Sequence, residues 1–443
     1  MSDAAPSTGA AGAQPRIRQF TRRGVMRTAV VAGITFALPA SAATLLAPAE
    51  AAAPNRLVLP PATEEIRPFQ LHVPVEALRD LRRRLANARL PEHETVSDWS
   101  QGAPRDRVRD LVNYWGRSYD WCILERRLNA LGQYRTEIDG LGIHFLHVRS
   151  RHADALPVIL THGWPGSIIE FLKAIGPLTD PTAHGGQVDD AFHVIIPSLP
   201  GFGLSDKPTE TGWGLPRIAR AWDTLMKRLG YTDYIAQGGD WGGAVSTRLG
   251  KLRPPGLLGI HVNFPEFVFT PPLNGDPLTP EEQVALGQLQ NFANFGSGYL
   301  KEQSTRPQTI GYGLADSPAG QTGWIYEKFG EWTDTDFHPE RELTNDEMLD
   351  DITLYWLTNT AASSARLYWE YAAEHAGLIT LDLPAGISVF PGEGVHVPRI
   401  WAERAYSDLV YFNDQIPAGG HFAAFEQPQL FTEEVRKFAR KVR

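Results

Sequence analysis

Tyr234-Ile235-Ala236-Gln237-Gly238-Gly239-Asp240-Trp241-Gly242-Gly243 is the stretch on which the reading of this chain turns. The apolar run 234–236 reads as a strand and the residues from Trp241 onward as a helix. Between them lies a small-x-Asp-x-small sequence, the form of a nucleophile elbow, with Asp240 where Ser is commoner. A side chain held at the tip of so sharp a turn needs neighbours without a Cβ at Gly238 and Gly242, because the backbone there closes on itself. A Gly-rich phosphate loop is the rival reading. No Lys-Ser/Thr pair follows, however, and the spacing is not that of a dinucleotide fingerprint.

Outward from the elbow, short apolar runs recur at 157–160, 193–196, 259–262, 387–390 and 409–412, with helical segments between them. This spacing predicts an α/β fold: a mostly parallel sheet with helices on both faces. Upstream, 133–138 and 143–148 flank Asp139-Gly140, a turn pair that predicts a hairpin and an antiparallel start to the sheet. Leu78, Leu81, Leu85 and Leu90 among arginines, and the Trp- and Leu-bearing stretch 111–131, predict N-terminal flanking helices. From 267 to 376 the alternation gives way to an aromatic, helix-like stretch without a strand run, which predicts a helical cap inserted over the sheet. The expected division is a signal segment at 1–53, an N-terminal flank at 54–132, a first core part at 133–266, the cap at 267–376 and a second core part at 377–443.

With 443 residues, 42% of them hydrophobic and 21% charged, the chain has the balance of a globular protein with a large core. Cys122 is its single cysteine, which excludes an intrachain disulfide and a Cys-rich metal site and reads as a small buried hydrophobe. Arg16, Arg18, Arg22, Arg23 and Arg27 precede an uncharged stretch, 28–49, in the layout of an export signal. Thr21-Arg22-Arg23-Gly24-Val25-Met26-Arg27 is similar to a twin-arginine signal, with Val25 where Phe is commoner, and Ala40-Ser41-Ala42 offers a cleavage site. The expectation is a periplasmic or extracellular protein, anchored in the membrane if the signal is kept. Cutting after Ala42 takes Lys+Arg from 42 to 37 and Asp+Glu from 51 to 50, so the net charge moves from −9 to −13. So acidic a chain, without basic blocks, argues against nucleic-acid binding.

Two further elements raise the weight of the elbow. After the run ending at Thr161 comes His162-Gly163-Trp164-Pro165-Gly166-Ser167, a turn placed to aim main-chain N–H groups where α/β-hydrolases build half of their oxyanion hole. The expected donors are the amides of Trp164 and Trp241. Near the C-terminus, Ala418-Gly419-Gly420-His421-Phe422-Ala423 puts a histidine on a loop beyond the last strand run, within reach of the elbow. An orienting carboxylate belongs between the two in chain order. Glu393, in Phe390-Pro391-Gly392-Glu393, is the choice. Glu266 competes, because a triad acid can occupy the earlier strand end, whereas Asp408 and Asp414 read as surface carboxylates.

At these residues the resemblance becomes specific. From Ile66 to the C-terminus the chain resembles the epoxide hydrolases of the microsomal type, on 162–167, Pro200-Gly201-Phe202-Gly203-Leu204-Ser205, the elbow, Phe390-Pro391-x-Glu393 and Gly419-Gly420-His421-Phe422-Ala423. The N-terminal part, about 66–177, is similar to the segment that wraps that family's core. The resemblance implies the α/β-hydrolase fold, Asp240 as nucleophile, His421 as base, Glu393 as its partner and two cap tyrosines, Tyr299 and Tyr368, as proton donors. The partners implied are a small-molecule epoxide and water; neither a metal nor an organic cofactor is expected, and a homodimer is left open. The residue types suit that chemistry. An aspartate, with a reference pKa of about 3.9, is anionic at neutral pH without an activating base, and a departing alkoxide needs an acid such as a phenol. A haloalkane dehalogenase also uses an Asp nucleophile but holds its halide with N–H donors. An esterase is disfavoured, because Asp attack on an acyl ester gives a mixed anhydride. A non-catalytic binding protein on the same fold is the rival of another class, and fold alone does not exclude it.

Overall fold

The computed structural model describes residues 56–265, 277–374 and 380–443. The export signal expected over 1–53, the competing acid Glu266 and the expected cap boundaries near 267 and 376 lie outside the described residues. An edge strand β1 (Arg67–Pro68) precedes helices α1 (Val75–Ala86), α2 (Arg105–Arg117) and α3 (Trp121–Ala130). Then come β2 (Gln133–Ile138), β3 (Leu141–Val148), β4 (Leu156–Thr161), α4 (Ile175–Thr179), β5 (Phe192–Pro197), α5 (Leu215–Arg228), β6 (Tyr234–Gly238), α6 (Trp241–Leu252) and β7 (Leu257–Val262). Among the described residues, only helices separate β7 from the next strand: α7 (Pro280–Asn291), α8 (Gly298–Thr305), α9 (Pro307–Asp316), α10 (Pro318–Trp332), α11 (Asn345–Thr358) and α12 (Ala361–Ala373). The chain closes with β8 (Ala385–Ser388), α13 (Arg399–Ala405), β9 (Leu409–Asn413), α14 (Ala423–Glu426) and α15 (Pro428–Val442).

The strands form one sheet in the order β1-β2-β3-β5-β4-β6-β7-β8-β9. Pairing is antiparallel from β1 to β5 and parallel from β5 to β9. Strands β4 and β5 are buried along their whole length, which is why they read as continuous apolar runs rather than alternating ones. Asp139 and Gly140 both have positive φ, 55° and 79°, in the two-residue turn whose twist matches its strands, and Ile138 faces Leu141 across it. Helix α5 turns Leu215, Ile218, Ala219, Trp222, Leu225 and Met226 inward at helical spacing. It packs on α6, while α15 packs on α4, so the sheet carries two helical layers. The N-terminal helices lie against the cap: α1 and α2 touch α10, and α2 and α3 touch α11. Tyr119 donates a hydrogen bond to Asp350 of α11 at 2.7 Å.

Four expectations are corrected. The helical stretch 111–131 is two helices, because the chain turns at Ser118-Tyr119-Asp120 and Asp120 caps a new start by accepting from the Cys122 amide at 3.1 Å. The helix expected to reach Leu90 ends at Ala86, ahead of Pro91, which disfavours helical backbone in the residue before it. The eighth strand is Ala385–Ser388 rather than 387–390, since Pro391 has no amide to extend the ladder and the chain must leave the sheet to form the next turn. Cys122 is half-buried, on the outer side of α3.

Space around the elbow makes a sharp prediction. A Cβ on Gly242 would stand 1.8 Å from the main-chain oxygen of Thr161 in β4, and one on Gly238 would stand 2.2 Å from the Gly242 backbone. Gly242→Ala is expected to cost about 3 kcal/mol or more, because rigid backbone must move, and to abolish activity. Gly287→Ala, on an exposed turn of α7 with open space around it, is expected to stabilise by about 0.5–1 kcal/mol. Denaturant titration of the pair checks both signs.

Candidate active site

The C-terminal ends of four parallel strands supply the core side of the site, the place where open parallel sheets gather functional groups. Asp240 stands between β6 and α6 with φ 51° and ψ −128°, a strained conformation for a residue with a side chain. Trp164 follows β4, Glu393 follows β8, and His421 follows β9. Sequence reasoning placed all four at strand ends, and the fold brings them together. The Trp164 amide donates to Asp240 Oδ1 at 2.8 Å, and the Trp241 amide also hydrogen-bonds the Asp240 carboxylate. His421 Nε2 lies 3.6 Å from Asp240 Oδ2, while its Nδ1 lies 3.0 and 3.2 Å from the two oxygens of Glu393. Asp408 and Asp414 are exposed and take no part.

Burial lifts the Asp240 carboxyl above the usual carboxylate range, against the opposing pull of His421 and the Trp164 and Trp241 amides. For His421, burial disfavours the cation. The charge and hydrogen bond of Glu393, followed by the charges of Asp240 and Glu170, outweigh it and push the imidazole up to about 9. The ring that stands between Asp240 and Glu393 therefore favours its charged form.

The cap closes the other side. Tyr299 of α8 stacks on the Trp164 ring, with centroids 5.1 Å apart and planes 9° from parallel. Tyr368 of α12 stands edge-on to Trp241 at 4.6 Å and to Tyr299 at 5.9 Å. Burial raises both phenols well above their ordinary value; Asp240 adds to this in each case, so both keep their protons at neutral pH. The Tyr368 hydroxyl is buried, and Tyr299 and Tyr368 both line a cavity of about 380 Å³. Phe264, Phe292, Leu300, Trp332, Tyr371 and Val395 give that cavity an apolar wall that reaches Asp240.

Several supporting residues were invisible in the sequence. Glu426 accepts hydrogen bonds from the amides of Asp334, Gly420 and Phe422 at 2.8–3.0 Å and so fixes the loop that carries His421. The main-chain oxygen of Trp332 accepts from the His421 amide at 2.8 Å. Lys328 is buried with its ammonium 4.7 Å from the Tyr299 ring centroid and paired with Glu327 and Glu331 at 2.9 and 2.7 Å. Only Glu426 had a signal, its place in sequence just after the histidine motif, and nothing there indicated three amide partners. Among the described residues, no group of three or more His, Cys, Asp or Glu is arranged to hold a metal ion, and no helix is long and apolar enough to cross a membrane.

Comparison with known proteins agrees with this geometry. Residues 66–171 match the family described as the epoxide hydrolase N terminus, and 157–332 match the alpha/beta hydrolase fold. A Stigmatella aurantiaca protein named as an epoxide hydrolase is 60% identical over 85% of this chain and 86% of its own length. The chain belongs to the epoxide hydrolase family. Epoxide hydrolase 1 of Sus scrofa is 35% identical over 85% of this chain and 88% of its own. The structure of Aspergillus niger epoxide hydrolase superposes with a TM-score of 0.76 at 33% identity, covering 86% of this chain and 98% of that one. The site thus belongs to an α/β-hydrolase that adds water to an epoxide.

The raised imidazole gives a measurable signature. The labelled His421 ring is expected to titrate near 9 in the resting enzyme, and Glu393→Gln, which removes the largest influence holding it up, is expected to lower that value in nitrogen chemical shifts. Because the folded value lies above the ordinary 6.5, the stability gained from protonation is complete below about 6.5 and is lost as pH rises through about 9. The stability difference between the native enzyme and His421→Gln should fall over that interval; a constant difference would return the ring to its ordinary value.

Proposed function

We propose that this enzyme hydrolyses apolar or aryl epoxides in two steps joined by an ester on Asp240. The observation that carries the reading is the two-sided setting of one carboxylate: two protonated tyrosines and an apolar pocket face it from the cap, and the His421–Glu393 pair stands behind it. In the first step Asp240 attacks an epoxide carbon, the C–O bond breaks, and Tyr299 and Tyr368 donate to the oxygen that departs. Since the Trp164 amide holds Oδ1, Oδ2 is the oxygen left to attack.

Ester formation removes the Asp240 charge, one of the influences that keep His421 protonated. Loss of that charge makes the ring easier to deprotonate, so the neutral imidazole, the form able to take a proton, becomes available after alkylation, when a base is needed. His421, oriented by Glu393, then takes a proton from water, whose oxygen attacks Cγ of Asp240 while the Trp164 and Trp241 amides hold the oxyanion. The diol leaves and the carboxylate returns. The aromatic wall of the cavity favours an apolar or aryl substituent. Release from the cell through the twin-arginine segment is part of the same reading, and it is tested by where the mature protein accumulates and by its N-terminal sequence.

In a single turnover in oxygen-18 water, the first diol is expected to carry oxygen from the enzyme; solvent label there would remove the covalent route. His421→Gln should still be alkylated and accumulate an intact-mass increase equal to that of the epoxide. Loss of activity without an adduct would defeat the role given to His421.

The tyrosines have their own test. Tyr299→Phe and Tyr368→Phe should each slow alkylation by about 10² to 10³, as loss of one donor does at oxyanion sites, and the double variant should lose it altogether. Hydrolysis of a preformed ester should be nearly unchanged in all three. A double variant alkylated at the native rate would reduce both tyrosines to pocket lining and reopen the dehalogenase reading, which chloride release from a haloalkane would then decide.

A further inference from the structure

A second cavity meets the catalytic pair from another side. Its volume is about 10 Å³, the room one water centre needs, and its walls are Gly163, Glu170, Gly239 and Asn263 together with Asp240 and His421. Asp240 and His421 also line the apolar pocket, so the pair stands between a substrate-sized space and a water-sized one. A buried water needs two to four polar partners, and of the wall residues only Glu170 is an ionisable side chain outside the catalytic pair.

Glu170 follows the turn that supplies the Trp164 amide, in a single helical turn, Ile168–Phe171, capped by Ser167. The Ser167 amide hydrogen-bonds its carboxyl group, as in a capping box. Its Oε1 occupies space that a side chain on residue 166 would fill: a Cβ on Gly166 would stand 1.4 Å from it. A capping partner alone has no need of this setting. Burial raises the carboxyl well above the usual range, Asp351 and Asp240 add to the shift, and His421 opposes it, so the group lies within electrostatic reach of both reacting residues.

We propose that Glu170 is the second hydrogen-bond partner of the water that hydrolyses the Asp240 ester, fixing it in the small cavity while His421 removes its proton. The inference rests on the two-step reading above. The water oxygen bonds to Cγ of Asp240 as one of its protons passes to Nε2 of His421. The bond from Cγ to the diol oxygen breaks and that oxygen takes the proton back from His421, while the second water proton, left on the Asp240 carboxyl, replaces the one the tyrosines gave to the epoxide oxygen, so that carboxylate and phenol are both restored. Glu170 transfers nothing; it orients the water.

The test separates the two steps by rapid quench and intact-mass analysis of the full enzyme with styrene oxide. Glu170→Leu should leave alkylation within about twofold of native and slow ester hydrolysis by about 10²-fold, the cost of a misplaced reactant, so that the alkyl-enzyme accumulates. Gly166→Ala, which keeps the carboxyl but displaces it, should show the same selective slowing. Glu170→Gln, which retains both the cap and a hydrogen-bonding edge, should restore most of the rate. Equal slowing of both steps, or native ester hydrolysis in Glu170→Leu and Gly166→Ala, would overturn the proposal. His421→Gln is the control: if it forms no adduct the two-step reading itself fails, whereas an adduct there with normal hydrolysis in the Glu170 and Gly166 variants defeats this inference alone.

Discussion

The Asp240 carboxylate is held where water is scarce, and much of the surrounding architecture compensates for that. Burial disfavours its charge. Two main-chain amides and an imidazolium keep its charge tolerable, and each comes from a different strand end, so the sheet has to hold β4, β6 and β9 in register for the anion to persist. The strained backbone at Asp240 belongs to the same arrangement. A residue with φ 51° is tolerated because helix α6 begins immediately after it and packs over β4, β6 and β7.

Charge also links the groups in time. His421 answers to Glu393, Asp240 and Glu170 together, so a change of charge at any one carboxylate alters the basicity of a ring it does not bond to. Lys328 shows the same economy on the acid side: a buried cation with two carboxylate partners lies under the ring of Tyr299, holding a flat aromatic surface in place without exposing charge to the apolar pocket.

What was legible in the sequence is what backbone sterics write locally. Gly238 and Gly242 announce the elbow because any larger residue collides with main chain, and the turns at Trp164 and His421 carry similar glycine signatures. The hairpin at Asp139-Gly140 was legible for the same reason, and the doubly buried strands because burial on both faces leaves a continuous apolar run. Tyr299 and Tyr368 had no such signature. Each is one aromatic among many on a helix, and only the packing of the cap turns them toward Asp240, so they came from family resemblance. Glu426, Trp332, Lys328 and Glu170 act through partners distant in the chain or through main-chain atoms, which spacing does not encode. The break in the helical stretch 111–131 was missed because Leu and Trp recur at helical spacing on both sides of it, while a single capping aspartate decides where one helix ends.

The loop bearing His421 is sewn to the cap. Its amide bonds to the carbonyl of Trp332, the Gly419 amide to Asp334, and the Asp334 amide to Glu426, so three threads join the base to the last turn of α10. Helices α1 and α2 press on that same α10 from the outside. A cap fastened in this way cannot lift like a hinged cover at this point without dragging the imidazole off its carboxylates. Movement of this end of the cap and readiness of the base are therefore coupled, as in a latch that disarms when it is raised.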